Sequence, residues 1–267
     1  MRFPKLSIVT PSYNQAAYLE QTIDSVLSQN YPNLEYIILD GGSTDGSVDV
    51  IKKYAHFLKY WRSRKDEGQS AAINEGFQQS TGDILAWINS DDYYEAGSFL
   101  QVAEVFAARP DTVLVYGDYS VLYPNGRKVL KPKVSCDFNI MAYAYLMIPQ
   151  PAAFWTRNAY IQSGGLDLSL KLVMDLDLFL RMSRNFSASR IHHLREPLAT
   201  FRVHAGGKSV ALKEGFSEET ARILPRYIPI RSDWQMRLLH YFYLAKVEMR
   251  FLLERGYLPL RKDTSKA

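Results

Sequence analysis

The sequence predicts an α/β fold with a mixed central sheet flanked by helices. Two observations support this prediction. Over the first 118 residues, short apolar segments rich in β-branched residues alternate with segments whose apolar positions recur at helical spacing. One apolar segment, residues 84–88, has no polar position, which is typical of a strand that is covered on both faces.

Five strands and four helices are predicted in this first part of the chain. We expect the strands at residues 6–10, 34–39, 57–62, 84–88 and 113–116, and the helices from residue 18 to a point before Pro32 and at 47–56, 70–80 and 98–108. Consecutive strand–helix–strand units are strongly preferred in the right-handed, parallel form. The loops that follow the strands therefore meet at one edge of the sheet, where ligands bind in such folds.

The rest of the chain has a looser pattern and no sign of a second independent core. A turn at residues 124–126 predicts a hairpin over 121–129. We also expect a short strand at 152–155, helices at 159–163 and 175–184, and two separate strands at 191–194 and 198–203. Beyond Glu214 the sequence is helical, basic and aromatic.

The composition excludes several classes of protein. Hydrophobic residues make up 47% and charged residues 22% of the chain, which is typical of a globular protein. A net charge of +4 is too small to indicate a nucleic-acid partner. The single cysteine, Cys136, excludes an internal disulfide framework and fits a reducing compartment. No apolar run reaches the length of a signal-peptide core or a membrane span, so we expect a cytoplasmic protein.

The apolar strand at 84–88 stops abruptly at Asn89, Ser90, Asp91 and Asp92. Two adjacent ionised carboxylates repel each other, so they require a proton, hydrogen bonds, a basic side chain or a metal ion. Hard oxygen ligands with no sulfur nearby favour Mg²⁺, Mn²⁺ or Ca²⁺ over Zn²⁺. The alternative is a surface turn, because Ser-Asp-Asp also suits turns and helix caps.

Five motifs follow one another along the chain. They are PSYN at 11–14, DGGSTDGS at 40–47, DEGQSAAINEGF at 66–77, NSDD at 89–92 and VMDLDLFLR at 173–181. In this order and spacing they resemble the signatures of the family-two inverting glycosyltransferases of bacterial type, which have the GT-A fold. The resemblance covers roughly residues 5–210.

The resemblance implies a GT-A catalytic domain at residues 1–210, with a nucleotide-binding half at 1–118 and an acceptor and catalytic half at 119–210. A helical C-terminal extension follows at 211–267. The implied reaction moves a sugar, with inversion, from a nucleotide-diphosphate donor such as a UDP-sugar to a glycan or lipid-linked acceptor. A divalent cation, Mn²⁺ or Mg²⁺, is the implied cofactor.

By this resemblance, seven residues match nucleotide-binding positions: Thr10, Pro11, Tyr13, Asp40, Asp66, Asn89 and Ser90. A carboxylate such as that of Asp40 can accept a hydrogen bond from the N–H of a uracil or guanine ring. The alternatives from the residues alone are a packed tyrosine in a strand-to-helix turn and carboxylates that cap the turns they begin.

The metal-binding positions implied by the resemblance are Asp91, Asp92 and His204. Many relatives carry an acid where this chain has Asn89, so Asp91 is the first candidate ligand and the role of Asn89 is open. A divalent ion there neutralises charge on the departing diphosphate. The alternative for His204 is an ordinary surface or core histidine.

Asp175 matches the catalytic base of the family. The acceptor hydroxyl loses its proton as the new glycosidic bond forms, so a carboxylate must lie beside it. Asp177 lies two residues further along the same helix and points away by roughly half a turn. The alternative for Asp175 is a charge at a helix N-terminus, stabilised by the helix dipole.

The substrate and acceptor pocket is implied to include Gln150, Trp155, Asp177 and Arg202, with Lys208 as a further phosphate contact. Core packing is the alternative for Gln150 and Trp155. For Arg202 and Lys208 the alternative is a solvated loop.

Two other functions are weighed against this one. A sugar nucleotidyltransferase shares the broad fold but carries a glycine-rich loop with a basic residue after its first strand, which PSYNQA lacks. A non-catalytic nucleotide- or carbohydrate-binding module would not need the full set of acids. The basic, aromatic segment 234–257 suits peripheral contact with the inner face of the cytoplasmic membrane, and its alternative is packing against the catalytic domain or a second copy.

Overall fold

The computed structural model describes residues 3–144, 148–229 and 232–257. The last part of the predicted extension, residues 258–267, lies outside the described residues. The described residues form nine strands: β1 Leu6–Ser12, β2 Leu34–Asp40, β3 Tyr60–Ser63, β4 Ile84–Trp87, β5 Tyr93–Tyr94, β6 Leu114–Leu122, β7 Lys128–Lys131, β8 Ala153–Thr156 and β9 Ile191–Arg202. The α-helices in the same residues are α1 Ala16–Leu27, α2 Ser47–Tyr54, α3 Gln69–Gln79, α4 Ser98–Ala108, α5 Phe138–Ala144, α6 Arg157–Gln162, α7 Met174–Asn185, α8 Lys208–Ala211, α9 Lys213–Ile223 and α10 Asp233–Arg255.

All nine strands belong to one mixed sheet, which confirms the predicted α/β class. Its order is β3-β2-β1-β4-β8-β6-β9-β5, and β7 pairs with β6. The first four of these are parallel, β8 is antiparallel to both of its neighbours, and β9 is parallel to β6. The loops that follow β1, β2, β3 and β4 therefore lie at one edge of the sheet.

Helices cover both faces of the sheet because successive residues of a buried strand point to opposite sides. Ile8 packs with α1, α2 and α4 on one face. Val9, the next residue, packs with α3, α5, α7 and α10 on the other. The near-continuous apolar runs of β1, β2 and β4 follow from this burial on two sides.

The second half of the sheet differs from the prediction in its strand boundaries. The strand expected at 113–116 and the first strand of the hairpin are one strand, β6. The two late strands are likewise one, β9, which pairs with β6 along its length across an irregularity at Gly117 and Asp118. A Cβ atom at Gly117 would lie 2.7 Å from the Glu196 carbonyl oxygen, so glycine is required where β9 approaches. Polar residues at this bulge made the strand look interrupted.

Three elements were not expected from the sequence: the short helices α5 and α8, and the two-residue strand β5. All three are too short to show a clear period. Helix α10 packs against α5, and its Val247 and Phe251 belong to the core beside α7. Its opposite face exposes Trp234, Leu238 and Leu253. None of the helices in the described ranges combines the length and the apolarity that crossing a membrane requires.

Candidate active site

A cavity of about 980 Å³ opens at the edge of the sheet where the four parallel strands end. The loops after these strands, the start of α7 and the segment after β9 form its wall. Ten of the residues predicted to act in a site line it: Pro11, Tyr13, Asp66, Asn89, Ser90, Asp91, Gln150, Asp175, Arg202 and Lys208. Gly41 and Gly42 line it as well, so residues from all five motifs meet in one place.

The loops after β1, β2 and β3 form one end of the cavity. The Tyr13 ring is 64% exposed. A Cβ atom at Gly41 would lie 3.3 Å from that ring and 3.6 Å from the Asp66 carboxylate, so the glycine leaves room between the two. Asp66 is fixed by hydrogen bonds from the Arg62 guanidinium, at 3.1 Å, and from the Gly68 amide, at 2.9 Å. An aromatic face beside an acceptor carboxylate suits a nucleobase.

The structure places the side chains of Asp40 and Thr10, both predicted to contact a nucleotide, behind this end of the cavity and not in its wall. Neither side chain is exposed. The Asp40 carboxylate accepts hydrogen bonds from the amides of Gly42 and Ser43 and from the hydroxyl of Ser63, so it closes the turn after β2. The Thr10 hydroxyl bonds to the buried hydroxyl of Tyr36. Asp66, rather than Asp40, presents a carboxylate to the cavity.

Helix α1 supports the Asn89–Asp92 turn through Thr22. The Thr22 hydroxyl donates to the carbonyl oxygens of Ser90 and Asp92, at 3.0 and 2.6 Å. This turn sends the two adjacent carboxylates in different directions. Asp91 lines the cavity, whereas Asp92 is 1% exposed and accepts a hydrogen bond from the Arg202 amide. Burial, reinforced by the Asp91 charge, raises the pKa of Asp92 well above its usual range.

Asp91 has a histidine partner. Its Oδ2 lies 3.0 Å from His204 Nε2, and the His204 ring packs against Tyr18 at 4.5 Å between centroids. A carboxylate oxygen and an imidazole nitrogen this close can share one divalent ion, whose other positions would be filled by diphosphate oxygens and water. Asp92 was predicted as a further ligand, but its buried side chain does not line the cavity. Within the described ranges, no group of three His, Cys, Asp or Glu side chains has the geometry to hold a metal by itself.

Asn89 links two walls of the cavity. Its Oδ1 accepts a hydrogen bond from Gln69 of α3, at 2.7 Å, and its amide nitrogen donates to Gln150, at 3.3 Å. Lys208 donates to the other end of Gln69, and Gln150 donates to the Trp87 carbonyl. Through these hydrogen bonds the Asn89 amide links α3, β4 and the segment before β8.

Asp175 stands at the start of α7 with its carboxylate in the cavity wall. Its carboxylate accepts a hydrogen bond from the Leu176 amide, at 2.9 Å, and no basic side chain among the described residues forms an ion pair with it. Burial raises the pKa of Asp175 to about 6. A carboxyl group in this state is ionised at neutral pH and is a stronger base than an ordinary aspartate.

Asp177 and Trp155, which were predicted to belong to the substrate pocket, do not line the cavity. Asp177 is 1% exposed and accepts hydrogen bonds from Arg181 and from the Tyr227 hydroxyl. Trp155 is fully buried, edge-on to Trp87 at 5.2 Å between centroids. In this structure both side chains contact protein groups of the core rather than the cavity.

Arg202 lines the cavity, but its guanidinium is already engaged. Its Nε donates to the Asp91 carbonyl at 2.9 Å, a terminal nitrogen donates to Gln21, and the group lies over the Tyr18 ring. It therefore braces the Asp91 corner in this structure.

Several cavity residues were not singled out from the sequence, and Gln69 and Lys133 are two of them. Gln69 lies inside a family motif at a position for which no role was expected, and its place before Ser70 at the start of α3 was the available signal. Lys133 belongs to none of the five motifs, and only the fold brings it to the cavity.

Comparison with protein families and curated proteins agrees with this geometry. The family model described as glycosyl transferase family 2 matches residues 7–160. An uncharacterized glycosyltransferase of Nostoc sp. is 27% identical over 230 residues, which are 82% of this chain and 70% of that protein. An uncharacterized glycosyltransferase of Haemophilus influenzae is 33% identical over 132 residues, 48% of this chain and 52% of the relative. The chain thus spans about half the length of the second relative.

Solved structures share the fold. TarS residues 1–349 of S. aureus, in complex with UDP-GlcNAc, match with a TM-score of 0.69 at 18% identity, over 93% of this chain and 73% of that one. The mannosyltransferase PcManGT from Pyrobaculum calidifontis, in complex with GDP-Man and Mn²⁺, matches with a TM-score of 0.65 at 16% identity, over 97% of this chain and 77% of that one. At these identities the likeness shows the fold alone, and it confirms the predicted GT-A architecture.

Proposed function

Because the chain belongs to glycosyl transferase family 2, we propose that it transfers a sugar, with inversion, from a nucleoside-diphosphate donor to an acceptor hydroxyl. The observation that carries this proposal is the pairing of two carboxylates in one cavity. Asp175 is partly enclosed, free of any cation among the described residues, and has a pKa raised to about 6. Asp91 is coupled to His204 at 3.0 Å. Asp175 suits proton transfer, and Asp91 suits the binding of a cation.

The donor nucleotide is assigned to the end of the cavity formed by Tyr13, Gly41 and Asp66. A pyrimidine ring fits between an aromatic face and a carboxylate that accepts from its N–H. We propose a UDP-sugar on this ground, and the UDP-GlcNAc complex of TarS supports the choice. The diphosphate then extends towards Asp91 and the Lys208 ammonium, which line the same cavity.

A divalent cation, Mn²⁺ or Mg²⁺, fits the donor set of Asp91 and His204. When bound, such an ion neutralises charge that develops on the diphosphate. The Mn²⁺ in the PcManGT complex is consistent with this assignment. Asn89 and Arg202 do not serve as ligands in this proposal, because their hydrogen bonds fix the turn that presents Asp91.

Asp175 is proposed to act as the general base. Its carboxylate accepts the proton of the acceptor hydroxyl while that oxygen bonds to the anomeric carbon. The bond between the anomeric carbon and the diphosphate oxygen breaks on the opposite face, so the configuration inverts. A general base of this kind contributes about 10²- to 10⁴-fold to the rate.

A glycan or lipid-linked acceptor is proposed to enter from the side formed by residues 119–210. Helix α10 suits peripheral contact with a membrane carrying such an acceptor, because Trp234, Leu238, Phe242 and Leu253 expose an apolar face. The other face of α10 packs on α5. Contact with a membrane and packing against the catalytic domain, the alternatives raised by the sequence, therefore concern different faces of one helix.

The test measures release of free nucleoside diphosphate from UDP-GlcNAc, UDP-glucose and GDP-mannose, with and without Mn²⁺. We expect a UDP-sugar to be turned over in a metal-dependent manner. The Asp175→Asn variant should lose about 100-fold or more of this rate while binding UDP as the wild type does. Asp49→Asn, which removes an exposed carboxylate of α2 outside the cavity, is the matched control.

Three results would count against parts of the proposal. Turnover by Asp175→Asn at the wild-type rate would remove Asp175 as the base. Equal UDP affinity with and without Mn²⁺ would remove the metal corner. Release of pyrophosphate from UTP and a sugar phosphate, or binding without turnover of any donor, would favour the nucleotidyltransferase or the binding module.

A further inference from the structure

A lysine outside all five motifs faces the active-site cavity. Lys133 follows β7, and it lines the cavity together with Tyr119 of β6. Its ammonium nitrogen lies over the Tyr119 ring, 5.3 Å from the ring centroid. In the part of the chain that the structure describes, no carboxylate forms an ion pair with this ammonium, and burial lowers its pKa.

The main chain at Lys133 is held on both sides. Its amide donates to the Asp118 carboxylate at 2.8 Å, and its carbonyl accepts from Nε of Arg255 at 3.1 Å. Next along the chain, Ser135 accepts from Arg250 at its carbonyl and donates its amide to Glu254. The last turns of α10 thus fix the segment that carries Lys133. The location of Lys133 at the cavity therefore follows from specific tertiary hydrogen bonds.

The nearby carboxylate does not neutralise Lys133. Both oxygens of Asp118 contact the Arg255 guanidinium, at 2.5 and 2.6 Å, and one of them also meets His193. Asp118 therefore forms its ion pair with Arg255, and it attracts the Lys133 ammonium without an ion pair between them. A largely buried ammonium with an aromatic ring but no carboxylate against it is costly, and an anion that enters the cavity would offset that cost.

Lys133 lies on the side of the cavity away from the nucleotide end. Its ring partner Tyr119 is on β6, which is three strands from β1 in the sheet order. At about 4.8 Å between neighbouring strands, this places β6 roughly 14 Å from the strand that carries the Pro11 loop. Asp91 follows β4, which lies between β1 and β6 in the sheet order, so a group held at Lys133 lies beyond the Asp91 corner as seen from the nucleotide end.

We propose that Lys133 binds an anionic group, a carboxylate or a phosphate, on the part of the substrates beyond the nucleoside diphosphate. The group would belong to an acidic sugar of the donor or to a phosphate of the acceptor. This inference rests on the proposed function, which supplies the nucleotide end and the direction of the cavity. It makes Lys133 a specificity residue for charged substrates.

The experiment compares anionic ligands with neutral twins by calorimetry. UDP-glucuronate is titrated against UDP-glucose, and geranyl phosphate against geraniol in the presence of UDP and Mn²⁺. The variants are Lys133→Gln, Lys133→Arg and Lys131→Gln. Lys131 lies at the end of β7 and does not line the cavity. Lys131→Gln is the matched control, because it removes the same charge from the same hairpin.

We expect the wild type to prefer one anionic ligand by about tenfold, corresponding to about 1.4 kcal/mol. Lys133→Gln should abolish that preference, whereas Lys133→Arg and Lys131→Gln should keep most of it. Affinity for UDP alone should be the same in all four proteins, which shows that the variants are folded. The pair that shows the preference identifies the donor sugar or the acceptor as the source of the anion.

The proposal is overturned if the wild type shows no preference in either pair, or if Lys133→Gln retains it. Failure of the proposed function gives a different result, namely no binding of UDP by the wild type. In that case geranyl phosphate and geraniol are titrated without nucleotide, and the Lys133→Gln comparison still decides whether Lys133 binds the anion.

Discussion

Asp175 and Asp177 lie two residues apart in α7, and their carboxylates have opposite surroundings. The Asp175 carboxylate lines the cavity without a cationic partner in the described residues. The Asp177 carboxylate is buried behind it, with Arg181 at 2.6 Å. Helical geometry places neighbours two apart on different sides of a helix. The same chemical group therefore faces the cavity at one position and is enclosed in an ion pair at the other.

The first prediction concerns the pH dependence of catalysis. Because burial raises the pKa of Asp175 to about 6, its carboxylate takes up a proton as the pH falls through that value. A protonated base cannot accept the acceptor proton, so kcat should fall about tenfold for each pH unit below about 6. A pH–rate profile checks this, and a profile that is flat down to about pH 4 would contradict the role of Asp175.

The second prediction concerns the stability of the same group. A carboxyl whose folded pKa lies above its unfolded value holds its proton more tightly when folded, so its ionisation destabilises the fold as the pH rises. Asp175→Asn should therefore raise the thermal midpoint at about pH 8 and have a much smaller effect at about pH 4, where the Asp175 carboxyl of the folded wild type is neutral. Equal midpoints for variant and wild type at both pH values would argue against the buried carboxylate.

The third prediction is that Asp177→Asn lowers stability. The substitution leaves Arg181 without its carboxylate, and the exposed fraction of the Arg181 side chain is only 23%. Loss of one partner from a largely buried pair costs about 3 kcal/mol in the free energy of unfolding. Denaturant unfolding measures this, with Asp49→Asn, expected within about 0.5 kcal/mol of wild type, as the surface control.

The same variant also tests the place given to Asp177. Its remaining folded molecules should bind UDP and turn over donor, in contrast to those of Asp175→Asn. A stable Asp177→Asn protein that binds UDP but has lost turnover would return Asp177 to the substrate pocket.

The fourth prediction is an acid-sensitive contact at the opposite edge of the sheet. Burial alone would raise the pKa of Glu35, but hydrogen bonds from Lys5, Thr81 and Ser7 lower it to about 2. A depressed carboxyl pKa contributes stability that is present above the unfolded value of 4.5 and is lost as the pH falls towards about 2.

Replacement of Glu35 by Gln removes this contribution. The variant should be less stable than the wild type at neutral pH, and the difference should shrink between pH 4.5 and about 2. Urea unfolding at several pH values measures the two curves. Parallel curves across this window would show that Glu35 is not the titrating group.

Sequence patterns predicted the parallel half of the fold closely, because each strand there is covered on both faces and ends in a turn. They were less exact after residue 118, where pairing decides the boundaries. The strand β9 looked like two because exposed residues interrupt its apolar pattern, yet β6 pairs with both parts. Long-range pairing of this kind has no local period.

The candidate site shows the same contrast between features that a local motif indicates and features that depend on the fold. Motifs located Tyr13, Asp66, Asp91 and Asp175, all of which the fold brings to one cavity. They could not separate a carboxylate that faces the cavity from one that closes a turn, as Asp40 does, because both follow a strand directly. The motifs also gave no information about Lys133. The position of Lys133 depends on the hydrogen bond from Arg255 to its carbonyl oxygen, and Arg255 is far away in sequence.

The fifth prediction addresses the amide at Asn89. In Asn89→Asp the oxygen that accepts from Gln69 is retained, but the amide nitrogen that faces the Asp92 carboxylate at 3.4 Å and Gln150 at 3.3 Å becomes an acceptor. Two acceptors then face each other beside the buried Asp92, which costs about 1 to 3 kcal/mol. We therefore expect a lower free energy of unfolding, although the side chains are nearly identical in size.

Asn125→Asp is the matched control for this exchange. Asn125 lies in the exposed hairpin turn, where its Oδ1 accepts from the Arg127 amide at 3.1 Å, a bond that an aspartate retains. Its unfolding free energy should stay within about 0.5 kcal/mol of the wild type. If Asn89→Asp is as stable as this control, the amide nitrogen is not needed in the turn, and an acid at position 89 is compatible with the present arrangement of Asp91 and Asp92.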